Sequence, residues 1–216
     1  CLTGIIYSDL THGSHVFRVR AIDAAGNVDP TFSEYTWDVD ITGPVTTIVS
    51  MPMDPTNSLD AVFEWDTDEP GTSECNLDSL GWSPCTSPQV YTGLEQNTSH
   101  SFEVRSTDSL GNQGASDSWT WTIDTINPTT IVLTGPNDPS NDVNPTFTYE
   151  SPQNPDATFQ CDLDGGGLVQ CDGGSFSYSN LSEGTHVFSV FSTDAAGNTD
   201  PDGDVWAWKI DTTPSE

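Results

Sequence analysis

The sequence predicts an all-β protein, a tandem of antiparallel β-sandwiches of about 86 residues per repeat. Three observations carry this. The chain aligns with itself at spacings of 84 to 87 residues, which superpose Cys1, Cys85 and Cys171 as well as His15, His100 and His186. Within each copy apolar residues alternate with polar ones, as in Phe102, Val104 and Ser106 against Ser101, Glu103 and Arg105. Cysteines recur in pairs, Cys75 with Cys85 and Cys161 with Cys171, each pair flanking a turn-forming stretch.

The repeat fixes the domain organisation. Residues 1–41 read as the second half of a copy, 42–126 as one complete copy and 127–216 as another. The boundaries fall at Thr42-Gly43-Pro44 and Asn127-Pro128, where proline interrupts a strand and biases the preceding residue to extended backbone. What the first copy lacks is the counterpart of residues 44–84 and 128–170. The chain begins with Cys1 rather than Met. Because Cys1 falls in the register of Cys85 and Cys171, the expectation is a segment of something longer, with Cys1 paired to a cysteine upstream. The half copy cannot bury both faces of its sheet alone, so upstream chain or a neighbouring subunit is expected to complete it.

Strand signatures occupy residues 46–50, 61–65, 73–77, 82–85 and 90–92 of the second copy, followed by the His100 stretch and the strand of Trp119, Trp121 and Ile123. Each is bounded by Gly, Pro, Asp or Asn. Seven or so short strands per copy and no credible helical stretch indicate a sandwich.

Composition excludes several functions. Lys and Arg number 4 against 33 Asp and Glu, a formal charge of −29. Nucleic-acid binding needs cationic clusters that are absent from this sequence, and the same imbalance opposes docking on an anionic membrane. No apolar run approaches the roughly 18 residues of a membrane span. With 7 Trp and 9 Phe the chain can still close small cores.

Each cysteine pair, ten residues apart, is expected to bridge two strands and close a hairpin, which implies an oxidising, extracellular setting. Reduced buried thiols are the alternative. Zinc is disfavoured because no second pair or histidine couple lies at zinc spacing.

The string Leu-x-x-Gly-x-His-x-Phe-x-Val-x-x-x-Asp-x-x-Gly-Asn, whole at Leu10 to Asn27 and at Leu181 to Asn198, is followed by Trp-x-x-Asp and a proline. It resembles the tandem bacterial immunoglobulin-like and fibronectin type III-like repeats of large secreted or surface proteins. The middle copy departs from it, with Thr98 in place of Gly13 and Gly184. The resemblance implies an immunoglobulin-like sandwich in an extracellular stalk, adhesin or fibre. Since such folds host many roles, it transfers fold more safely than function.

The resemblance also implies calcium between repeats. The last strand of one copy delivers its terminal Asp toward the Asp-x-x-Gly-Asn turn of the next. The expected ligands are Asp40 with Asp108 and Asn112, joined by Asp66 or Asp68, and Asp124 with Asp194, Asn198 and Asp200, all hard oxygen donors. The competing reading of these turns is local: Gly26 and its equivalents take positive φ while the Asx side chains bond the backbone. The run Asp200-Pro-Asp202-Gly-Asp204 is not an EF-hand, because it lacks the Glu at the twelfth position.

Other candidates are weaker. His15, His100 and His186 each stand alone and are expected to bond a loop at the sheet corner. The pairs Trp119/Trp121 and Trp206/Trp208 read as core. Trp82, whose counterpart is Leu168, is the one aromatic suited to stacking on a sugar. Asn97 and Asn180 head glycosylation sequons. Lys209 is the sole lysine, which disfavours lysine isopeptide bonds. The function expected is a non-enzymatic extracellular structural repeat whose partners are neighbouring repeats or copies of itself head-to-tail. A carbohydrate-binding or host-adhesive module, or an accessory domain of a secreted hydrolase, is the alternative.

Overall fold

A computed structural model describes residues 4–214. Among them every regular element is a strand, and none is a helix. The all-β expectation holds.

The chain divides into two compact units. One holds the chain up to Met51 with Phe63–Gln89 and Ser101–Trp119; the other holds Pro52–Val62, Val90–His100 and the chain from Thr120 onward. The middle copy of the sequence register therefore contributes segments to both.

In the second unit, seven strands make a complete sandwich: β10 (Ile131–Thr134), β11 (Thr146–Glu150), β12 (Thr158–Leu163), β13 (Val169–Gln170), β14 (Ser175–Ser177), β15 (Gly184–Thr193) and β16 (Asp204–Ile210). They form a three-stranded sheet in the order β10-β11-β14 and a four-stranded sheet in the order β13-β12-β15-β16. The period of two dictates what lies between them. On β15 Phe188 and Val190 are fully buried while Val187 points out, and on β16 Trp208 and Ile210 are buried while Lys209 is exposed. Phe147 of β11 stacks on Phe188 with ring centroids 4.1 Å apart. Tyr149, Phe159, Cys161 and Cys171 complete the core.

The middle copy repeats this design. Its strands are β3 (Thr46–Ser50), β4 (Ala61–Thr67), β5 (Gly71–Leu77), β6 (Ser83–Cys85), β7 (Gln89–Tyr91), β8 (Thr98–Asp108) and β9 (Asp117–Ile123). The sheets run β3-β4-β7 and β6-β5-β8-β9. Phe63 and Phe102 stack at 4.0 Å, the counterpart of Phe147 on Phe188. The irregularity in the first strand recurs too, between Ile48 and Ser50 and again between Val132 and Thr134. A close backbone approach requires glycine at position 114, where a Cβ would sit 1.8 Å from the Pro44 carbonyl oxygen.

Disulfides join Cys75 to Cys85 and Cys161 to Cys171, with Cα–Cα distances of 5.8 and 5.9 Å. Each ties β5 or β12 to the neighbouring end of its own hairpin. Closing a loop of this size restricts the unfolded chain by about 3 kcal/mol in the chain-entropy account.

The first copy consists of β1 (Gly13–Val19) and β2 (Ser33–Val39), an antiparallel pair with Gly13 opposite Val39 and Val19 opposite Ser33. It has no second sheet among the described residues. Its Phe17 and Trp37 occupy the positions of Phe188 and Trp208 but are only half-buried.

This contrast yields a measurable asymmetry. Phe188→Ala should cost about 3–5 kcal/mol, as expected for a large buried ring. Phe17→Ala, at the same position of the repeat, should cost less, because its ring is only partly buried and packs against no second sheet among the described residues. Denaturant titration of both variants checks the pair.

Candidate functional site

The Asp-x-x-Gly-Asn turns are built alike. Asp108 Oδ1 accepts hydrogen bonds from the amides of Leu110 (2.9 Å) and Asn112 (2.8 Å), and its Oδ2 accepts from Asn112 Nδ2 at 2.8 Å. Asp23 accepts from Ala25 N, Asn27 N and Asn27 Nδ2, and Asp194 from Asn198 N and Nδ2. The glycine between them takes φ of 88°, 90° and 91° at Gly26, Gly111 and Gly197, a conformation other residues rarely adopt. Hydrogen bonds favour the ionised acid. Asp23 is held below the ordinary carboxylate range by the Asn27 side chain first and then by the turn amides. At Asp108 burial pushes upward, yet the bonds from Asn112, Leu110 and Gly111 outweigh it and the net shift is down.

The asparagine of each turn also reaches back along the chain. Asn112 Nδ2 donates to the Asp40 carbonyl at 3.2 Å, and Asn198 Nδ2 donates to the Asp124 carbonyl at 2.9 Å. The structure thus brings Asp40 beside Asp108 and Asn112, and Asp124 beside Asp194 and Asn198. What each place offers a cation differs.

At the first, carboxylate oxygens of Asp40, Glu69 and Asp108 lie within 4.8 Å of one another, the one such group of acidic, His or Cys side chains among the described residues. Asp40 Oδ1 also accepts from Thr42 N and Oγ1 and lies 3.2 Å from His12 Nδ1. Glu69 is pushed above the ordinary carboxylate range by desolvation, then by the charges of Asp40, Asp108 and Asp68. Glu69 was missing from the sequence reading, although it closes the acidic run Asp66-Thr-Asp68-Glu69. Of the two acids named instead, Asp68 accepts from the Val45 amide at 2.8 Å and Asp66 sits opposite Thr47 in the β3–β4 ladder.

At the second place the oxygens face amides. Asp194 is taken up by Asn198, Asp124 Oδ1 accepts from Ile126 N, and the buried Asp200 accepts from Thr130 N at 2.7 Å and from Asp202 N and Gly203 N. No acidic trio assembles there among the described residues. These carboxylates act as turn and strand anchors.

The three histidines share one geometry. His15, His100 and His186 donate from Nε2 to the carbonyls of Thr11, Glu95 and Ser182 at 2.7, 2.8 and 2.9 Å. Their rings lie 5.7, 5.4 and 5.4 Å from Trp37, Trp121 and Trp208. His186 also has a carboxylate on its other nitrogen, Asp164 Oδ2 at 2.7 Å from Nδ1. With an acceptor at each nitrogen the doubly protonated ring is favoured, and its pKa is raised by the Ser182 carbonyl first and Asp164 second, against the desolvation that opposes them.

Trp82 is half-buried, and the Arg105 guanidinium lies over its ring at 4.0 Å, held there by Glu74 Oε2 at 2.9 Å from Nη2. One ring face is therefore occupied by a cation–π contact. Asn97 and Asn180 are exposed, at φ of 58° and 57°. Cys1 lies outside the described residues.

The His186 pair predicts a pH dependence of definite sign. A folded pKa raised above the unfolded 6.5 stabilises the fold fully below that value, and the contribution is lost as pH rises through the folded pKa. Thermal melting of the sandwich carrying His186 should therefore fall as pH rises above 6.5. Asp164→Asn should flatten that fall; equal slopes for variant and parent would contradict it.

No family model matches the chain, and no curated protein does. Among solved structures it is similar to fibronectin(III)-like modules of CbhA from Clostridium thermocellum, at 14% identity over 77% of this chain and 94% of that one, with a TM-score of 0.49. It is also similar to the FN1–FN3 domains of chicken CNTN1, at 11% identity over 90% of this chain and 77% of that one, TM-score 0.43. A third likeness is to the central fibronectin-III array of RIM-binding protein, at 10% identity over 82% and 72%, TM-score 0.32.

Proposed function

We propose that the chain is a non-enzymatic structural repeat of an extracellular stalk or fibre, part of a surface adhesin or filament, that extends by linking to neighbouring repeats or to copies of itself head-to-tail. One observation carries this reading. The polar residues that recur in every copy, Asp23/Asp108/Asp194, Asn27/Asn112/Asn198 and the three histidines, are all engaged in hydrogen bonds to backbone or turn groups. A duplicated chemistry would be expected to use those same positions; here they build the sandwich corners. The two disulfides support an oxidising, extracellular setting. No helix among the described residues is long and apolar enough to cross a membrane.

Calcium belongs to this proposal only at Asp40, Glu69 and Asp108. Three carboxylates at that separation supply the hard oxygens calcium takes, and the raised pKa of Glu69 marks charge repulsion that a cation would relieve. Calcium should raise the melting temperature relative to chelator. Glu69→Gln should abolish most of that rise while leaving the protein in chelator at least as stable as the parent, since one of three clustered charges is gone. In chelator the parent should lose stability as pH climbs from 4.5 through the raised Glu69 pKa. A parent melting curve indifferent to calcium removes the cation from the proposal.

A second reading, carbohydrate recognition at Trp82, is favoured by its partial exposure and by the cationic neighbour that orients it. A glycan array separates the two. The stalk reading expects no sugar bound by either the parent or Trp82→Ala, whereas binding lost on Trp82→Ala establishes the recognition module.

A further inference from the structure

The sheet face of the first copy is one that both later copies bury. His100, Phe102 and Val104 of β8 are 5, 0 and 0% exposed, and His186, Phe188 and Val190 of β15 are 7, 0 and 0% exposed. Their counterparts on β1 are His15, Phe17 and Val19, and Val19 is 44% exposed. On β2, Tyr35 stands where the repeat has Trp119 and Trp206, and it is 66% exposed. Phe17, Val19, Tyr35 and Trp37, together with Ile5 and Tyr7, line an open apolar groove of about 640 Å³. An apolar strip of this kind is a docking surface unless something covers it.

The later copies show what covers it. Over the same face they lay a strand with aromatics two residues apart, Phe63-Glu-Trp65 or Phe147-Thr-Tyr149, and stack its phenylalanine on Phe102 or Phe188 at 4.0 and 4.1 Å. They also pair the second edge of the long strand: β8 lies between β5 and β9, and β15 between β12 and β16. Strand β1 has β2 on one side and, among the described residues, no strand on the other.

Charge points to the same occupant. Arg105 sits opposite Glu74 in the β5–β8 ladder and bonds its carboxylate at 2.9 Å. The residue in that position of the first copy is Arg20, which is exposed. A second copy of this chain, docking groove to groove, would bring two charges of −29 together and would offer no acidic strand of this type to Arg20.

We infer that this half-sandwich is an acceptor for the front half of a further repeat of the same type. That segment lays an aromatic-x-aromatic strand on Phe17 and Trp37 and adds an antiparallel edge strand to β1 with an acid opposite Arg20. The front halves within this chain are already engaged in their own sandwiches, so the occupant is a further front half and neither of these two. The inference rests on the repeat reading but not on the stalk or adhesin role, because its test reads strand β1 alone.

The test appends residues 44–84 of this sequence directly ahead of the N-terminal residue of the full chain, which recreates the order of the middle copy. Hydrogen exchange is followed on the peptide spanning β1, and sedimentation reports the assembly state. The appended chain should stay monomeric and slow exchange in β1 by about tenfold or more. Changing the appended counterpart of Glu74 to Arg should reduce that protection, and adding Arg20→Glu should restore it. Val19→Asp in the appended chain should abolish protection while leaving β15 exchange unchanged, which separates docking from general misfolding. Unchanged β1 exchange on appending the segment overturns the inference. A parent chain that sediments as a dimer with β1 already protected overturns it equally, since the occupant is then a second copy.

Discussion

The stacking of one phenylalanine from each sheet, Phe63 on Phe102 and Phe147 on Phe188, sets the spacing on which each sandwich depends. A chain that is 33% hydrophobic has little aliphatic mass to close a core. Rings make up the difference, since each removes a large area from water and its flat face fits between two sheets. The His–Trp pair extends the stack toward the sheet corner in every copy, where the histidine ties the preceding loop through its carbonyl. The first copy keeps the back-half residues of this arrangement without the opposing ring, so its face stays in contact with water.

A second constraint is the disposal of acidity. Thirty-three carboxylates on 216 residues would be a heavy burden of repulsion if all were idle. Many instead accept backbone hydrogen bonds that no strand partner supplies. Asp117 and Asp204 take the amides of Ile48 and Val132, where the first strand of each sandwich is irregular. Asp68 and Asp200 take those of Val45 and Thr130 just before it. An ionised acceptor strengthens such bonds, and in the Asp-x-x-Gly-Asn turns the short Asp side chain also reaches the amides of its own turn. The cluster at Asp40, Glu69 and Asp108 differs because charges there face each other.

Self-similarity and alternation made the all-β class, the number of strands per complete copy and the core positions of Phe102, Phe188, Trp121 and Trp208 legible in the sequence. The spacing of the cysteines made hairpin closure foreseeable, because ten residues with a turn between them bring two strands side by side. The placement of Asp40 near Asp108 and Asn112 followed from where a last strand ends and where a turn begins. Glu69 did not follow, since nothing local distinguishes it from Asp66 or Asp68; only the path of the chain between β4 and β5 turns its carboxylate toward the other two. The Arg105–Trp82 contact was hidden for the same reason, as its partners are more than twenty residues apart in sequence and meet through the β5–β8 register.

What the sequence determined by itself was therefore everything that depends on neighbours along the chain: strand period, turn chemistry, hairpin closure and the repeat. Tertiary structure decided which carboxylates converge on one another and which are neutralised by amides, and how much of each repeated apolar face is covered. The two kinds of information separate because hydrogen bonding within a turn spans four or five residues, whereas burial and charge repulsion are set by groups brought together from strands tens of residues apart.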